Sequence, residues 1–223
     1  LNTPSNPTGS ANSHQELNDL GKILVENKIA IISDEIYEKL VYENFTHTSI
    51  ATAHPRAKDY TIVINGVSKA YAMTGWRMGY AAGPKEVISK MAEIVGQQTT
   101  SIPGFIQKAC KTCLDNFEDD VKKMRDEFEK RRNFMLTLMT GIPKIKCHKP
   151  DGAFYLFPNV ESYLGRKIKS ASELSEYLLD EAHIATVSGE PFGAPGYIRF
   201  SYATSKENIE EGMKRLREAL SKI

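Results

Sequence analysis

The chain has 223 residues, enough for one large domain or one and a half, and its 41% hydrophobic and 26% charged residues are typical of a globular protein. Its 29 basic residues nearly balance its 28 acidic ones, which excludes the strongly basic surface of a nucleic-acid-binding or membrane-surface protein. An odd number of cysteines, three, argues against a disulfide framework, and no apolar run reaches membrane-spanning length, so we expect a cytoplasmic protein.

The first half of the chain predicts helices alternating with strands. Ser13 and Glu16 form a capping box before leucines at helical spacing, which predicts a helix. Three apolar runs predict strands, at residues 29–32, 61–65 and 78–82. The first of these is predicted to be buried. Two further helices are predicted, at residues 85–98 and 104–117. This order is typical of an α/β fold with a mostly parallel sheet flanked by helices.

The second half begins with a long predicted helix at residues 119–139, whose dense charges indicate a solvated face beside a narrow apolar stripe. Beyond it, short strands and one helix are predicted, at residues 145–148, 153–157, 172–182 (the helix), 184–187 and 197–201. Thr204 and Glu207 form a capping box that opens the last helix. We therefore predict an α/β part at residues 1–118 and a smaller α+β part at residues 119–223.

Polar residues that could take part in ligand binding or catalysis follow the first two predicted strands. Asp34 and Tyr37 come after the first, and Lys69 and Arg77 follow the second, with glycines flanking Arg77. In α/β sheets, ligands bind beyond the carboxyl ends of the strands, so these side chains converge if the two strands are parallel neighbours. Taken singly, Asp34 is more typical of a helix N-cap, and Lys69 and Arg77 of surface loops. Only the whole string indicates a ligand site.

Four separated stretches carry a family resemblance: residues 2–9, the Asp34 and Tyr37 pair, Lys69 to Arg77, and residues 198–204. Residues 150–155 are a fifth, weaker match. Together and in this order they resemble the class I and II aminotransferases, the fold-type I enzymes that use pyridoxal 5'-phosphate. The bacterial aspartate aminotransferase branch is the most similar. The resemblance covers essentially the whole chain but only the C-terminal portion of the family's length, including the end of its large cofactor-binding domain and its small domain.

The resemblance implies roles for four residues that contact the cofactor. Lys69 would form a Schiff base with the cofactor aldehyde and then carry a proton between the substrate Cα and the cofactor. Asp34 would pair with the protonated pyridine nitrogen, which keeps the ring an electron sink. Tyr37 and Asn6 would donate hydrogen bonds to the ring oxygen. The matching Asn-Pro bond is characteristically cis in the family, so we expect a cis bond between Asn6 and Pro7.

The resemblance also implies phosphate and substrate ligands. Ser68 and Arg77 would hold the cofactor phosphate, whereas Arg199, with Asn6, would bind the substrate, its guanidinium clamping the α-carboxylate. Taken singly, Arg199 is also typical of a strand-edge ion pair. One position departs from the family pattern: many relatives carry serine three residues before the lysine, where this chain has Gly66. Phosphate binding is therefore expected to depend more on Ser68, Arg77 and groups outside this chain.

The implied activity is ping-pong transfer of an amino group between an L-amino acid and a 2-oxo acid. Aspartate is favoured over aromatic amino acids, alanine and prephenate, and a homodimer is expected. The chain opens on Leu1 with no element before the first motif, so we expect a fragment that is inactive alone. Two alternatives remain open: a carbon–sulfur β-lyase on the same scaffold, or a truncated relic without catalysis.

The cysteines carry a weaker signal. Cys110 and Cys113 have CxxC spacing but lie on a predicted helix without a second pair, and Cys147 with His148 is isolated. We therefore predict packed or partly exposed thiols and no metal site.

Overall fold

The computed structural model describes residues 1–223, and the chain divides into two compact units. The first unit contains residues 1–4 and 10–125, and the second contains residues 5–9 and 126–223. The division falls within a 23-residue helix, between Arg125 and Asp126. The two domains that the sequence predicts, 1–118 and 119–223, stay a prediction.

The first unit contains four complete helices and three strands. The helices are α1 (His14–Glu26), α2 (Ile50–Ala53), α3 (Lys85–Thr99) and α4 (Gly104–Asn116). The strands are β1 (Ile31–Asp34), β2 (Thr61–Gly66) and β3 (Gly79–Ala82). The predicted capping box of α1 is confirmed, because the Ser13 amide donates to Glu16 Oε2 at 2.7 Å and the Glu16 amide donates to Ser13 Oγ at 3.3 Å.

The strands of the first unit form one sheet in the order β1-β2-β3. β1 and β2 are parallel, with Asp34 opposite Ile64, whereas β3 is antiparallel to β2, with Gly79 opposite Gly66. The parallel pairing on which a common site depends is therefore confirmed. β1 begins and ends two residues later than predicted and is not fully buried, because Ile32 is 63% exposed. Only the other face of β1 is covered by the core of this unit.

That core joins α1, α2 and the covered face of β1. Its buried side chains are Leu17, Ile31, Ile50 and Ala53. A second cluster packs the loop after β2 against α4, through Val67, Met73 and Cys110. The second cluster therefore anchors the loop that follows β2.

The second unit combines three helices with a small antiparallel sheet. Its elements are the latter part of α5 (Glu118–Thr140), β4 (Tyr155–Leu156), α6 (Ala171–Ala182), β5 (Val187–Ser188), β6 (Ile198–Ser201) and α7 (Lys206–Leu220). The strand order is β4-β6-β5, so β6 is central. The apolar stripe predicted for α7 is confirmed, since its four members are buried: Ile209, Met213, Leu216 and Leu220.

Three predictions in the second unit differ from the structure. The strand predicted at residues 184–187 lies instead at Val187–Ser188. No strand forms at residues 145–148, where Lys146 makes only an isolated bridge to Asn159. The N-cap of α7 is Ser205, not Thr204, because Ser205 is extended and its hydroxyl accepts the Asn208 amide at 3.2 Å.

Among all the helices, none combines the length and the apolar character needed to cross a membrane.

Candidate active site

Asp34 ends β1, and its backbone pairs on one side with the first residues of the chain. Its amide donates to the Leu1 carbonyl at 2.9 Å, and its carbonyl accepts the Thr3 amide at 3.3 Å and the Asn2 side-chain amide at 3.1 Å. Its carboxylate Oδ1 accepts the Ile36 amide at 3.2 Å. Asp34 therefore does not cap an α-helix: its carboxylate closes a turn at the end of the strand.

Tyr37 follows in the same turn and is buried, with 3% of its surface exposed. The turn is closed by the Glu38 amide, which donates to the Glu35 carbonyl at 2.9 Å. The Tyr37 carbonyl in turn accepts the Leu40 amide at 2.8 Å. Tyr37, three residues after Asp34, therefore lies in a turn that backbone hydrogen bonds fix.

Lys69 and Ser68 lie in the loop that follows β2, and both are half-buried. The Ala72 amide donates to the Lys69 carbonyl at 3.2 Å, and the buried Val67 anchors the start of the loop. Because β1 and β2 are parallel neighbours, this loop and Asp34 emerge at the same edge of the sheet. The structure therefore brings the predicted amine and carboxylate to one edge.

Arg77 lies just before β3, after a short 3-10 helix at Thr74–Trp76. Its φ is +53°, and its exposed side chain donates from Nη1 to the Thr74 carbonyl at 3.1 Å. β3 is antiparallel to β2, so the start of β3 lies beside the end of β2. Arg77 therefore belongs to the same edge as Lys69.

The glycine that departs from the family pattern has a packing reason. A Cβ on Gly66 would lie 2.9 Å from the Met78 carbonyl oxygen and 3.1 Å from the Gly79 Cα. Both are backbone atoms of the neighbouring chain segment, so a serine at this position requires β3 to move. With this β2–β3 pairing, the position of Gly66 offers no side-chain hydroxyl at this edge of the sheet.

Two further predicted site residues contact each other in the second unit. Arg199 lies on the central strand β6, and its Nη1 donates to Asn6 Oδ1 at 2.6 Å. A guanidinium only donates, so the oxygen of Asn6 is its accepting end and the amide nitrogen is its donating end. The Arg199 guanidinium also lies 4.5 Å from the ring centroid of Tyr155 and 5.5 Å from that of Phe192. Arg199 and Asn6 are thereby fixed as a pair.

The turn that carries Asn6 is bound to the loop at residues 150–153. The amides of Asp151 and Gly152 both donate to the Gly9 carbonyl, at 2.9 and 2.8 Å, and the Gly9 amide donates to the Ser5 carbonyl at 2.8 Å. The Asn6–Pro7 bond is cis, as predicted, and the sequence did not predict that the Thr3–Pro4 bond is also cis.

Arg132 binds the loop at residues 150–153, a role that the sequence did not predict. It is only 1% exposed, although it lies in the charge run interpreted as a solvated face. Its Nη1 donates to the Pro150 carbonyl at 2.8 Å. The signal was present: Arg132 lies four residues after Phe128 and three before Met135, on the apolar stripe of the helix.

Replacing Gly9 with alanine is expected to destabilise the second unit by about 2–4 kcal/mol. Gly9 has a φ of +69°, and an added Cβ would lie 2.5 Å from Pro150 Cβ and 2.8 Å from the Gly152 carbonyl oxygen. Gly193→Ala is the matched control, since its φ is +71° but nothing lies within 4 Å. The midpoint of chemical denaturation measures both. Equal losses would show that the contact with residues 150–152 contributes nothing.

The cysteine thiols are packed or partly exposed, as predicted. Cys110 is buried, and Cys113 Sγ lies 3.4 Å from Met73 Sδ. Burial raises the pKa of the Cys147 thiol to about 11, so this group is protonated at neutral pH.

Comparison with known proteins identifies the family. The model of "Aminotransferase class I and II" matches residues 1–216. The chain is 42% identical to aspartate aminotransferase of Geobacillus stearothermophilus and 45% identical to that of Bacillus sp. strain YM-2. Each alignment covers 97% of this chain and 55% of the relative. The structure of an aromatic aminotransferase from Pyrococcus horikoshii OT3 superposes with a TM-score of 0.92 at 36% identity, covering 99% of this chain and 58% of that one.

The chain thus spans little more than half the length of the relatives it matches. The matched region includes every strand and nearly every helix of both units. The chain belongs to the class I and II aminotransferases and has their fold-type I, α/β architecture.

Proposed function

We propose that this chain is part of a longer, pyridoxal 5'-phosphate-dependent aminotransferase that moves an amino group between an L-amino acid and a 2-oxo acid. The observation that carries the proposal is the edge of the first sheet. There a carboxylate, Asp34, and a primary amine, Lys69, follow two adjacent parallel strands. Such an edge is where α/β proteins bind ligands, and the two groups have opposite charge.

The donor set at this edge fits the cofactor. Asp34 offers an anion for a protonated ring nitrogen, and Tyr37 offers a phenol for the ring oxygen. Lys69 offers an amine for the aldehyde, and Ser68 with Arg77 offers a hydroxyl and a guanidinium for the phosphate. Arg77 is exposed and supplies the positive charge for an anionic group, whereas the position of Gly66 contributes no hydroxyl. When bound, the cofactor supplies an electron sink for the substrate's Cα.

Each residue then has a defined task. The negative charge of Asp34 would hold a proton on the ring nitrogen, and the Tyr37 hydroxyl would donate to the ring oxygen. The Lys69 amine would accept the proton that leaves the substrate Cα and would later donate that proton again. A single flexible amine therefore acts as both base and acid.

Arg199 and Asn6 are proposed to bind the substrate. A guanidinium can hold an α-carboxylate through two parallel hydrogen bonds, and Tyr155 and Phe192 restrict the plane of this one. Asn6 accepts one Arg199 hydrogen bond through its side-chain oxygen, and the family resemblance assigns its amide nitrogen to the cofactor ring oxygen.

Aspartate is the amino acid that we favour as substrate. The support is the similarity to two proteins named aspartate aminotransferase, at 42% and 45% identity. The aromatic aminotransferase of Pyrococcus horikoshii, at 36% identity, makes aromatic amino acids the first alternative to test.

The larger organisation is proposed on the same similarity. Residues 1–118 would complete a large cofactor domain, and residues 119–223 would form the small domain. The full-length protein would be a cytoplasmic homodimer, and the 223-residue chain alone would be inactive because it spans little more than half of its relatives.

The experiment uses the full-length protein, loaded with pyridoxal 5'-phosphate and supplied with L-aspartate and 2-oxoglutarate. We expect glutamate and oxaloacetate in equal amounts, and parallel lines in double-reciprocal plots, as a ping-pong reaction requires. L-Phenylalanine and L-alanine serve as competing donors. Pyruvate release from a sulfur-containing amino acid without any acceptor would instead identify a β-lyase, and a protein that binds no cofactor would be a relic.

A further inference from the structure

A buried carboxylate lies between two proposed cofactor ligands, Asp34 at the end of β1 and Tyr37 in the turn that follows. Glu35 is 2% exposed and follows Asp34 directly. Its Oε1 accepts the hydroxyls of Ser33 at 2.9 Å and Ser49 at 2.7 Å, and its Oε2 lies 3.2 Å from His47 Nε2. Three donors therefore surround a group that the proposed reaction does not use.

These donors keep Glu35 ionised. Burial by itself would raise the pKa of Glu35, but the hydrogen bonds from His47, Ser49 and Ser33 outweigh it, so the pKa is below its ordinary value. An ionised carboxylate forms stronger hydrogen bonds than a neutral one. Glu35 is thus a charged anchor inside the unit.

The anchor joins segments that are distant in the sequence. Ser49 is the N-cap of α2, and its hydroxyl also accepts the Ala51 amide at 3.3 Å. The Glu35 amide donates to the Ile64 carbonyl of β2 at 2.9 Å, and its carbonyl accepts the Glu38 amide. Glu35 therefore ties the turn at residues 34–37 both to the neighbouring strand and to the segment that begins α2.

The geometry points to Glu35 as a positioning residue: its carboxylate, held by Ser33, Ser49 and His47, fixes the turn at residues 34–37 so that Asp34 and Tyr37 meet the cofactor ring correctly. Asp34 and Tyr37 flank Glu35 in that turn, so a shift of the Glu35 backbone moves both. The inference rests on the proposed function. It assigns no metal to the group of Glu35, Glu38 and His47, because Glu35 already has its three hydrogen-bond partners.

The first test compares Glu35→Gln with Glu38→Gln in the full-length protein. Glu38 is half-buried, its carboxylate lies in the same group, and it makes none of the three hydrogen bonds to Glu35. We expect Glu35→Gln to raise the Kd of the apoenzyme for pyridoxal 5'-phosphate by about tenfold and to change the induced circular dichroism of the bound cofactor. The KM for the amino acid should stay unchanged in Glu35→Gln, because Arg199 is proposed to bind the substrate α-carboxylate. Glu38→Gln should leave all of these values as in the wild type.

A double-mutant cycle with Asp34→Asn tests how Glu35 acts. If Glu35 acts through Asp34, adding Glu35→Gln to Asp34→Asn should raise the cofactor Kd by much less than tenfold. Additive effects, or a Kd for Glu35→Gln equal to that of Glu38→Gln, would overturn the inference.

His47 supplies a milder variant in case Glu35→Gln does not fold. His47→Leu removes one donor and leaves both serines, so we expect a rise of about threefold in the cofactor Kd. His47→Gln keeps an N–H donor and should recover part of that loss. If neither variant alters the Kd or the circular dichroism of the cofactor, the positioning role is wrong even where the wild type is an active aminotransferase. A wild type that binds no cofactor would overturn the proposed function itself, and this inference with it.

Discussion

Replacing Lys69 with alanine in the full-length protein is expected to lower kcat/KM for transamination by on the order of 10⁴-fold or more. Lys69 follows the carboxyl end of β2, beside the strand that ends at Asp34. In the proposed mechanism its amine both attaches the cofactor and moves the substrate's Cα proton. One substitution therefore removes a nucleophile and an acid–base group together. Initial rates with saturating cofactor measure the loss, and the absorbance of the protein-bound cofactor reports whether the attachment is gone.

The matched control for Lys69 is Lys58→Ala. Lys58 is exposed and precedes the amino end of the same strand, at the opposite edge of the sheet. It should retain wild-type rates and wild-type cofactor absorbance. A Lys69→Ala protein that still attaches the cofactor covalently would show that another lysine carries it.

Replacing Arg199 with lysine is expected to lower kcat/KM for the amino acid by about 10- to 150-fold. Lysine keeps the positive charge but loses the second of two parallel hydrogen bonds, each worth about 1.5–3 kcal/mol when charge-assisted. It also loses the planar group that lies against the rings of Tyr155 and Phe192, together with the donor to Asn6 Oδ1. Steady-state kinetics should place most of the loss in KM, because substrate and transition state share this contact.

Cofactor affinity distinguishes a role of Arg199 in substrate binding from a general loss of structure. The Kd for pyridoxal 5'-phosphate should change little in Arg199→Lys, since the phosphate ligands are assigned to Ser68 and Arg77. Arg215→Lys is the control substitution, because Arg215 is an exposed residue of α7 that pairs with Glu211 at 2.8 Å. An unchanged KM in Arg199→Lys would mean that another cation binds the substrate carboxylate.

The sequence predicted most elements because their signals are local. A capping box and leucines at helical spacing specify α1, and four apolar residues at helical spacing specify α7. The strand expected at residues 145–148 is absent because a strand needs partners along its length, and Lys146 alone finds one. The exposure of Ile32 likewise depends on which sheet face is covered, which no local pattern states.

The sequence by itself determined which chemical groups follow each strand, in the order Asp34, Tyr37, Ser68, Lys69 and Arg77. The tertiary structure decided that β1 and β2 are parallel neighbours, which puts those groups at one edge. It also decided that Glu35 and Arg132 are buried and hydrogen-bonded, whereas charged residues in a sequence ordinarily predict solvent exposure. The physical reason is that burying a charge costs free energy unless distant donors or acceptors meet it. Those partners, His47 and Ser49 for Glu35 and the Pro150 carbonyl for Arg132, come together only when the chain folds.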